Sequence, residues 1–260
     1  MTVDKKIKDI DTLSKKEIRN GANYFDVDKE ICVIDGEEYP MFYAKIINKQ
    51  IENEMPFVLF LGKPGSGKTF ASAKLGYDLT EKIGFYDGEY TPEQNIKYEN
   101  IEFMQKLLDS KNKVLHKPDI NATLNVVEHH KDQNRAFESF IHLARIFGNL
   151  VTGDSQYLFR CDTGIQITHT FRIIASSKAS EYKYHVYYIE RKVDSEKKEV
   201  NKTYLGSWTP ELPPKKLQKY IKERDKEEKK NILEEKLNQA KGKDEEKEKE
   251  DHPMDGIEMA

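Results

Sequence analysis

Two cysteines in 260 residues, Cys32 and Cys161, are too few for a disulfide framework or a zinc cluster, and either reads as a buried thiol. No run of about 18 apolar residues occurs, so no transmembrane helix is expected. The opening segment MTVDKKIKDIDTLSKK lacks the apolar stretch of a secretory leader, and a cytoplasmic location is expected. A marked excess of either charge is lacking as well. With 43 Lys and Arg against 46 Asp and Glu, the net charge is −3, and nothing global advertises a nucleic-acid partner. A basic groove built only on assembly would not register in that figure. No internal repeat is visible at periods of about 20 to 50 residues.

Charge itself is plentiful, at 34% of residues, and it is localised. Between Lys215 and Asp251, 25 of 37 residues are charged, 13 basic and 12 acidic. The remaining 223 residues carry 64 charges, close to the globular norm. The chain therefore divides into a polar lead-in (1–30), an α/β domain (31–208) and a charged C-terminal tail (209–260). The tail opens on the proline-rich TPELPP (209–214) and is expected to be partly helical or disordered, because its apolar positions sustain no heptads.

Within the domain, ICVIDGEEYPMFYAKII (31–47) reads as a strand, an Asp35-Gly36 turn, and a second strand or short helix. MPFVLFLG (55–62) has the continuous apolar run of a central strand buried on both faces. A helix is expected from Gly67 to Leu79, a strand near Asn95–Tyr98 and a helix over 101–110. A strand follows at 123–128, the clearest amphipathic helix at 134–147, and strands at 149–152 and 169–176. YKYHVYYIER (182–191) and NKTYLG (201–206) should pair as a terminal hairpin. Alternation of this kind predicts a mainly parallel sheet flanked by helices.

One motif is complete. Gly62-Lys63-Pro64-Gly65-Ser66-Gly67-Lys68-Thr69 matches G-x-x-x-x-G-K-[ST], directly after the buried strand and at the opening of a helix. The glycines allow turns in which successive N–H groups face inward as an anion nest, and the helix adds the positive end of its dipole. Lys68 can reach the β- and γ-phosphates, and the Thr69 hydroxyl can ligate Mg²⁺. Lys63 reads as a solvated loop lysine. ATP with Mg²⁺ is the expected ligand pair.

Hydrolysis also needs a carboxylate for the magnesium shell and a group that polarises the attacking water. The segment LNVVEHH is the candidate place, and two registers are open. In one, Glu128 takes the metal position and His129 polarises water. In the other, Val127 stands where the metal acid would be and Glu128 is the base. Either way one acid is missing. The pair His129-His130 has no further ligand cluster to complete a metal site of its own. Beyond the strand at 149–152, Gln156 is a candidate sensor of the γ-phosphate. Arg145, Arg160 and Arg172 are candidates for a finger reaching a neighbouring subunit, and Asn134-Arg135 reads as a helix cap and first turn.

With these residues in view, the chain resembles the P-loop ATPases of archaeal viruses, plasmids and integrated elements, akin to the zonular-occludens-toxin-like and FtsK–HerA groups. The features that carry the resemblance are VLFLGKPGSGKT, the FMQKLLDS helix before LNVVEHH, QNRAFESFIHLARIFG, and NLVTGDSQ followed by CDTGIQITHTFRII. They span about residues 55–176. Relatives in that group have Asp-Glu where this chain has Glu128-His129. The resemblance implies a ring-forming homo-oligomeric motor that moves or packages double-stranded DNA, or assists assembly of a virion or mobile element. A nucleotide-dependent scaffold that binds ATP with weak or no hydrolysis is the competing expectation, because the acid pair is incomplete.

Overall fold

The computed structural model describes residues 16–19, 23–26, 31–34, 36–51, 56–120, 145–161, 168–176, 182–193, 198–227, 230–231 and 234. The chain divides into two compact units, Met1–Gln218 and Lys219–Ala260. The first holds two sheets.

The smaller sheet is an antiparallel meander of β1 (Lys16–Arg19), β2 (Asn23–Asp26), β3 (Ile31–Ile34) and β4 (Glu37–Pro40). Its first two strands fall within the stretch expected as a polar lead-in. That stretch is polar and weakly patterned, and the register of Tyr24 opposite Val33 and Phe25 opposite Cys32 shows what the pattern conceals. The chain then turns into α1 (Met41–Ile51), so the alternative of strand or short helix resolves as one of each.

The larger sheet has six strands: β5 (Phe57–Leu61), β6 (Val114–Lys117), β7 (Leu150–Ser155), β8 (Phe171–Ala175), β9 (Tyr184–Val193) and β10 (Lys198–Trp208). Their spatial order is β10-β9-β8-β5-β7-β6. β6, β7, β5 and β8 run parallel, whereas β9 returns antiparallel to β8 and pairs with β10 as the expected hairpin. The mainly parallel sheet with helices on it is the architecture that the strand–helix alternation predicts.

β5 is buried along its whole length, as FVLFL requires. On one face Phe57, Leu59 and Leu61 pack with Phe103 and Leu107 of α4 (Asn100–Asp109). On the other, Phe60 meets the rings of Tyr184 and Trp208, and Trp208 in turn meets Phe42 and Tyr43 of α1. α2 (Lys68–Tyr77) lies against β5, β6 and β7. Its buried residues include the small Ala71, Ser72, Ala73 and Gly76 beside Leu75. Beyond Tyr77 it continues as a π turn over Asp78–Lys82, where the Asp78 carboxylate accepts from Lys74 Nζ at 2.7 and 2.9 Å and from the Tyr43 hydroxyl at 3.1 Å.

Two local expectations shift. In place of a strand at 95–98, Pro92–Asn95 forms the short α3, and Ile96 alone bridges to His116. β6 was not expected at all. The strand at 123–128 and nearly all of the helix at 134–147 lie outside the described residues; only the turn Arg145–Phe147 is seen. The second unit is described over 219–227, 230–231 and 234, which are helical and carry surface pairs such as Lys219–Glu223 and Arg224–Glu227. Among the described residues, no helix is long and apolar enough to cross a membrane.

Candidate functional site

The site begins where β5 ends. Residues 62–67 form the loop, and α2 starts at Lys68 with Gly67 ahead of it at φ 77°. That left-handed conformation suits glycine, and a side chain there would also press on the Tyr182 ring, 3.1 Å from the position of a Cβ. Gly62 answers a different need. A Cβ on it would stand 2.7 Å from Ala175 Cβ and 2.9 Å from Ser66 Oγ, so the loop closes on β8 only because that atom is absent.

Hydrogen bonds fix the loop from three sides. Gly62 N–H donates to the Ser155 carbonyl (3.2 Å), tying the loop to β7. Ser66 N–H donates to the Lys63 carbonyl (3.2 Å). The Tyr184 hydroxyl donates to the Ser66 carbonyl at 2.7 Å, a tie from β9 across 118 residues. Burial, the Asp154 carboxylate and Tyr182 raise the Tyr184 phenol above its ordinary value, so it stays a donor. Lys68 Nζ reaches across the loop to the Lys63 carbonyl at 3.1 Å, while Lys63 itself is exposed. In α2 the first intrahelical bond is Ala71 N–H to the Gly67 carbonyl, so the N–H groups of Lys68, Thr69 and Phe70 carry no acceptor within the helix. They form its positive end.

Below the loop lies a carboxylate. Asp154 is the fifth residue of β7, opposite Phe60 in the parallel register, and is 4% exposed. The Thr69 hydroxyl donates to its Oδ2 at 2.9 Å, and the Asp119 N–H to its Oδ1 at 3.1 Å. Burial alone would raise its carboxyl. Contact with His116, the charges of His116 and Lys68 and the Asp119 N–H outweigh that and hold it below the usual carboxylate value, so it is an anion.

Two periodicities account for the arrangement. Thr152 and Asp154, two apart on β7, share one face of the sheet, and His116 of β6 pairs with Thr152 on that face. Thr69 and Ser72, three apart, share the side of α2 that covers it. Ser72 Oγ lies 2.8 Å from His116 Nδ1 and donates to Thr152 Oγ1 at 2.9 Å, and Thr152 Oγ1 lies 3.0 Å from Nδ1. Lys117, buried beside His116, donates to the carbonyls of Tyr98 and Pro118.

The residues fit a nucleotide phosphate and a small hard cation. Ser66 Oγ is buried with no hydrogen-bond partner among the described residues, which is the condition of a donor kept for an anion. A hydroxyl oxygen and an ionised carboxylate oxygen 2.9 Å apart are the ligand types that magnesium takes.

The expected residues divide as follows. Of the octet 62–69, residues 62–67 form the loop and Lys68 and Thr69 open α2, with Lys68 Nζ on the Lys63 carbonyl and the Thr69 hydroxyl on Asp154. Glu128, His129, His130 and Asn134-Arg135 lie outside the described residues. Gln156 is the first residue beyond β7, half-buried, one position past the Ser155 that anchors Gly62. Arg172 sits near the start of β8, with Nε and Nη2 3.3 and 3.0 Å from His169 Nε2, and burial lowers its pKa. Arg160 closes the turn Leu158–Arg160 and Arg145 opens Arg145–Phe147. The residue that sequence reasoning missed is Asp154. NLVTGDS was read as a strand ending at 152, although an apolar run closing on Gly-Asp at the sheet's phosphate-loop edge was the available signal.

No family model matches the chain, and no curated protein matches it. Among solved structures, the N-terminal domain of zonular occludens toxin from Neisseria meningitidis is similar at 10% identity and a TM-score of 0.36, over 62% of this chain and 86% of that one. The genome packaging NTPase B204 of Sulfolobus turreted icosahedral virus 2, in complex with ATP-gammaS, is similar at 10% identity and 0.37, over 57% and 98%. A component of the HORMA:CdnC:Trip13 complex of E. coli is similar at 17% identity and 0.37, over 51% and 52%. The first two are of the type to which the sequence resemblance points, and at these TM-scores the likeness carries nothing about activity.

Proposed function

We propose that the chain is a P-loop ATPase that binds ATP with magnesium at residues 62–69 and hydrolyses it. The observation that carries this reading is the 2.9 Å contact between Thr69 Oγ1 and Asp154 Oδ2, a motif hydroxyl set on a buried ionised carboxylate at the end of the neighbouring strand. Lys68 supplies a mobile charge to the terminal phosphates, and the helix N-terminus and loop N–H groups surround the remainder. Thr69 and Asp154 would hold the magnesium ion. When bound, it neutralises charge that builds on the phosphates as they separate.

The site has more acids than the Glu128–His129 segment alone offers. Asp119, exposed just beyond β6 and tied through its own N–H to Asp154, brings a second carboxylate residue to the site. We assign it, together with Glu128, as a candidate for orienting the attacking water, with Gln156 as the candidate sensor of the γ-phosphate. This weakens the scaffold reading, whose support was a missing acid.

The energy of hydrolysis is proposed to drive translocation or packaging of double-stranded DNA, or assembly of a mobile element, by a homo-oligomeric ring. Support for that part is the sequence resemblance across residues 55–176. The test is calorimetry with ATP and magnesium, followed by phosphate release with and without duplex DNA. Lys68→Ala should abolish binding, and DNA should stimulate release by the native chain. Tight binding without release would favour the scaffold, and absence of binding would refute the reading altogether.

A further inference from the structure

Tyr182 stands two positions ahead of Tyr184, the first residue of β9. β9 runs antiparallel to β8 and pairs Tyr184 with Ala175, so it starts at the end of the sheet where β5 opens into the loop. The Tyr182 ring rests on Gly67: its Cδ1 and Cε1 are each 3.1 Å from where a Cβ on that glycine would stand. The residue is nonetheless 51% exposed, which leaves a large aromatic surface open beside the loop.

An exposed tyrosine alone is ordinary. The backbone of this one is not. Tyr182 has φ 40°, a left-handed conformation that bulky residues avoid and that persists only where the surroundings enforce it. Bonds beside it hold the chain there. Ser176 N–H donates to the Lys183 carbonyl at 2.7 Å, and the Tyr184 hydroxyl donates to the Ser66 carbonyl at 2.7 Å.

Strand order sets which part of a nucleotide meets the ring. The loop follows β5, which lies between β7 and β8. Asp154, with the Thr69 hydroxyl on it, marks the β7 side, where magnesium and the terminal phosphates belong. A triphosphate laid along the loop from there runs towards β8 and β9, and its nucleoside emerges on the side of Tyr182.

We propose that Tyr182 is the base platform of the nucleotide site, its ring stacking on the purine of ATP. This use of the ring rests on the phosphate-loop reading above. Every base has a π face, and stacking on an aromatic side chain contributes about five- to hundredfold in affinity. Gly67 then serves twice, once through its own left-handed turn and once by leaving room for the ring.

Calorimetry in magnesium compares ATP with ribose 5-triphosphate, which has the phosphates and the sugar but no base. The native chain should bind ATP about tenfold or more tightly than the baseless ligand. Tyr182→Asn removes the ring and keeps a residue that accepts a left-handed backbone. It should lose about tenfold in ATP affinity and stay within about twofold of the native chain for ribose 5-triphosphate. Tyr182→Phe should stay within about twofold for both ligands. Equal losses for the two ligands in Tyr182→Asn would make the ring a clamp on Gly67 and overturn the proposal, as would undiminished ATP affinity. A native chain that binds both ligands equally overturns the proposal and leaves the phosphate-loop reading standing. One that binds neither overturns both. Should Tyr182→Asn fail to fold, NMR of the native chain with ATP decides. Overhauser contacts between the adenine protons and the Tyr182 ring support the proposal, and their absence from the complex overturns it.

Discussion

Thr69 and Asp154, 85 residues apart in the chain, meet at 2.9 Å where α2 crosses the end of β7. The pair links the glycine-rich octet to a strand that carries no recognisable motif. Asp154→Asn keeps the shape and removes the charge. It is expected to weaken ATP binding by tenfold or more in the presence of magnesium and much less with chelator, as measured by calorimetry. Asp154→Ala would also leave the Thr69 hydroxyl and the Asp119 N–H without their acceptor, and a loss of about 2 to 4 kcal/mol in denaturant-derived stability is expected.

The same carboxyl gives the stability a pH dependence. Its folded value lies below its unfolded value, which is about 3.9 for an ordinary aspartate. Between the two values the unfolded chain binds the extra proton, so stability rises with pH and is fully present above the unfolded value. It is lost as pH falls through the folded value. Denaturation midpoints recorded across the acid range should decline below about pH 4 in the native chain, and Asp154→Asn should remove part of that slope.

Gly62→Ala is expected to disrupt the loop without unfolding the sheet. The new methyl would meet Ala175 Cβ at 2.7 Å, and neither atom has a flexible arm with which to give way. Separation of β5 from β8 at this end should cost about 1 to 3 kcal/mol. ATP binding should fall by at least tenfold while far-UV circular dichroism stays unchanged. Native binding in this variant would contradict the close approach.

Tyr184→Phe removes one hydrogen bond and keeps the ring packing against Phe60 and Trp208. A stability loss of about 1 kcal/mol is expected, with a few-fold drop in ATP affinity, because the Ser66 carbonyl loses its anchor. Thermal unfolding and calorimetry on the same preparation check both.

What could be read from the sequence follows from how local each signal is. The octet 62–69 is contiguous, and its neighbours FVLFL and the helix opening at Lys68 confirm it within a dozen residues. The hairpin of β9 and β10 is equally local. β6 was illegible because Val114-Leu115-His116-Lys117 places two polar residues inside the sheet, and they are tolerated only because Ser72, Thr152 and the Tyr98 and Pro118 carbonyls come from elsewhere. The length of β7 was hidden in the same way. Gly-Asp-Ser reads as a turn, yet Gly153 stays in the strand because Ile120 fills the space of its missing side chain, and Ser155 stays because Gly62 bonds to it. Asp154 lies between them and was lost with the strand end. Glu128 and His129 lie outside the described residues, and an apolar run before them does not by itself say which strand adjoins β5.

The bond from Tyr184 to Ser66 has a mechanical side. It fastens the loop cradle to the first residue of β9, whose ten residues form with the eleven of β10 a hairpin lever that pairs with β8 over Tyr184–Tyr188. Force applied to that lever by any load would be felt at the cradle as a pull on one carbonyl, and occupancy of the cradle would stiffen the lever in return.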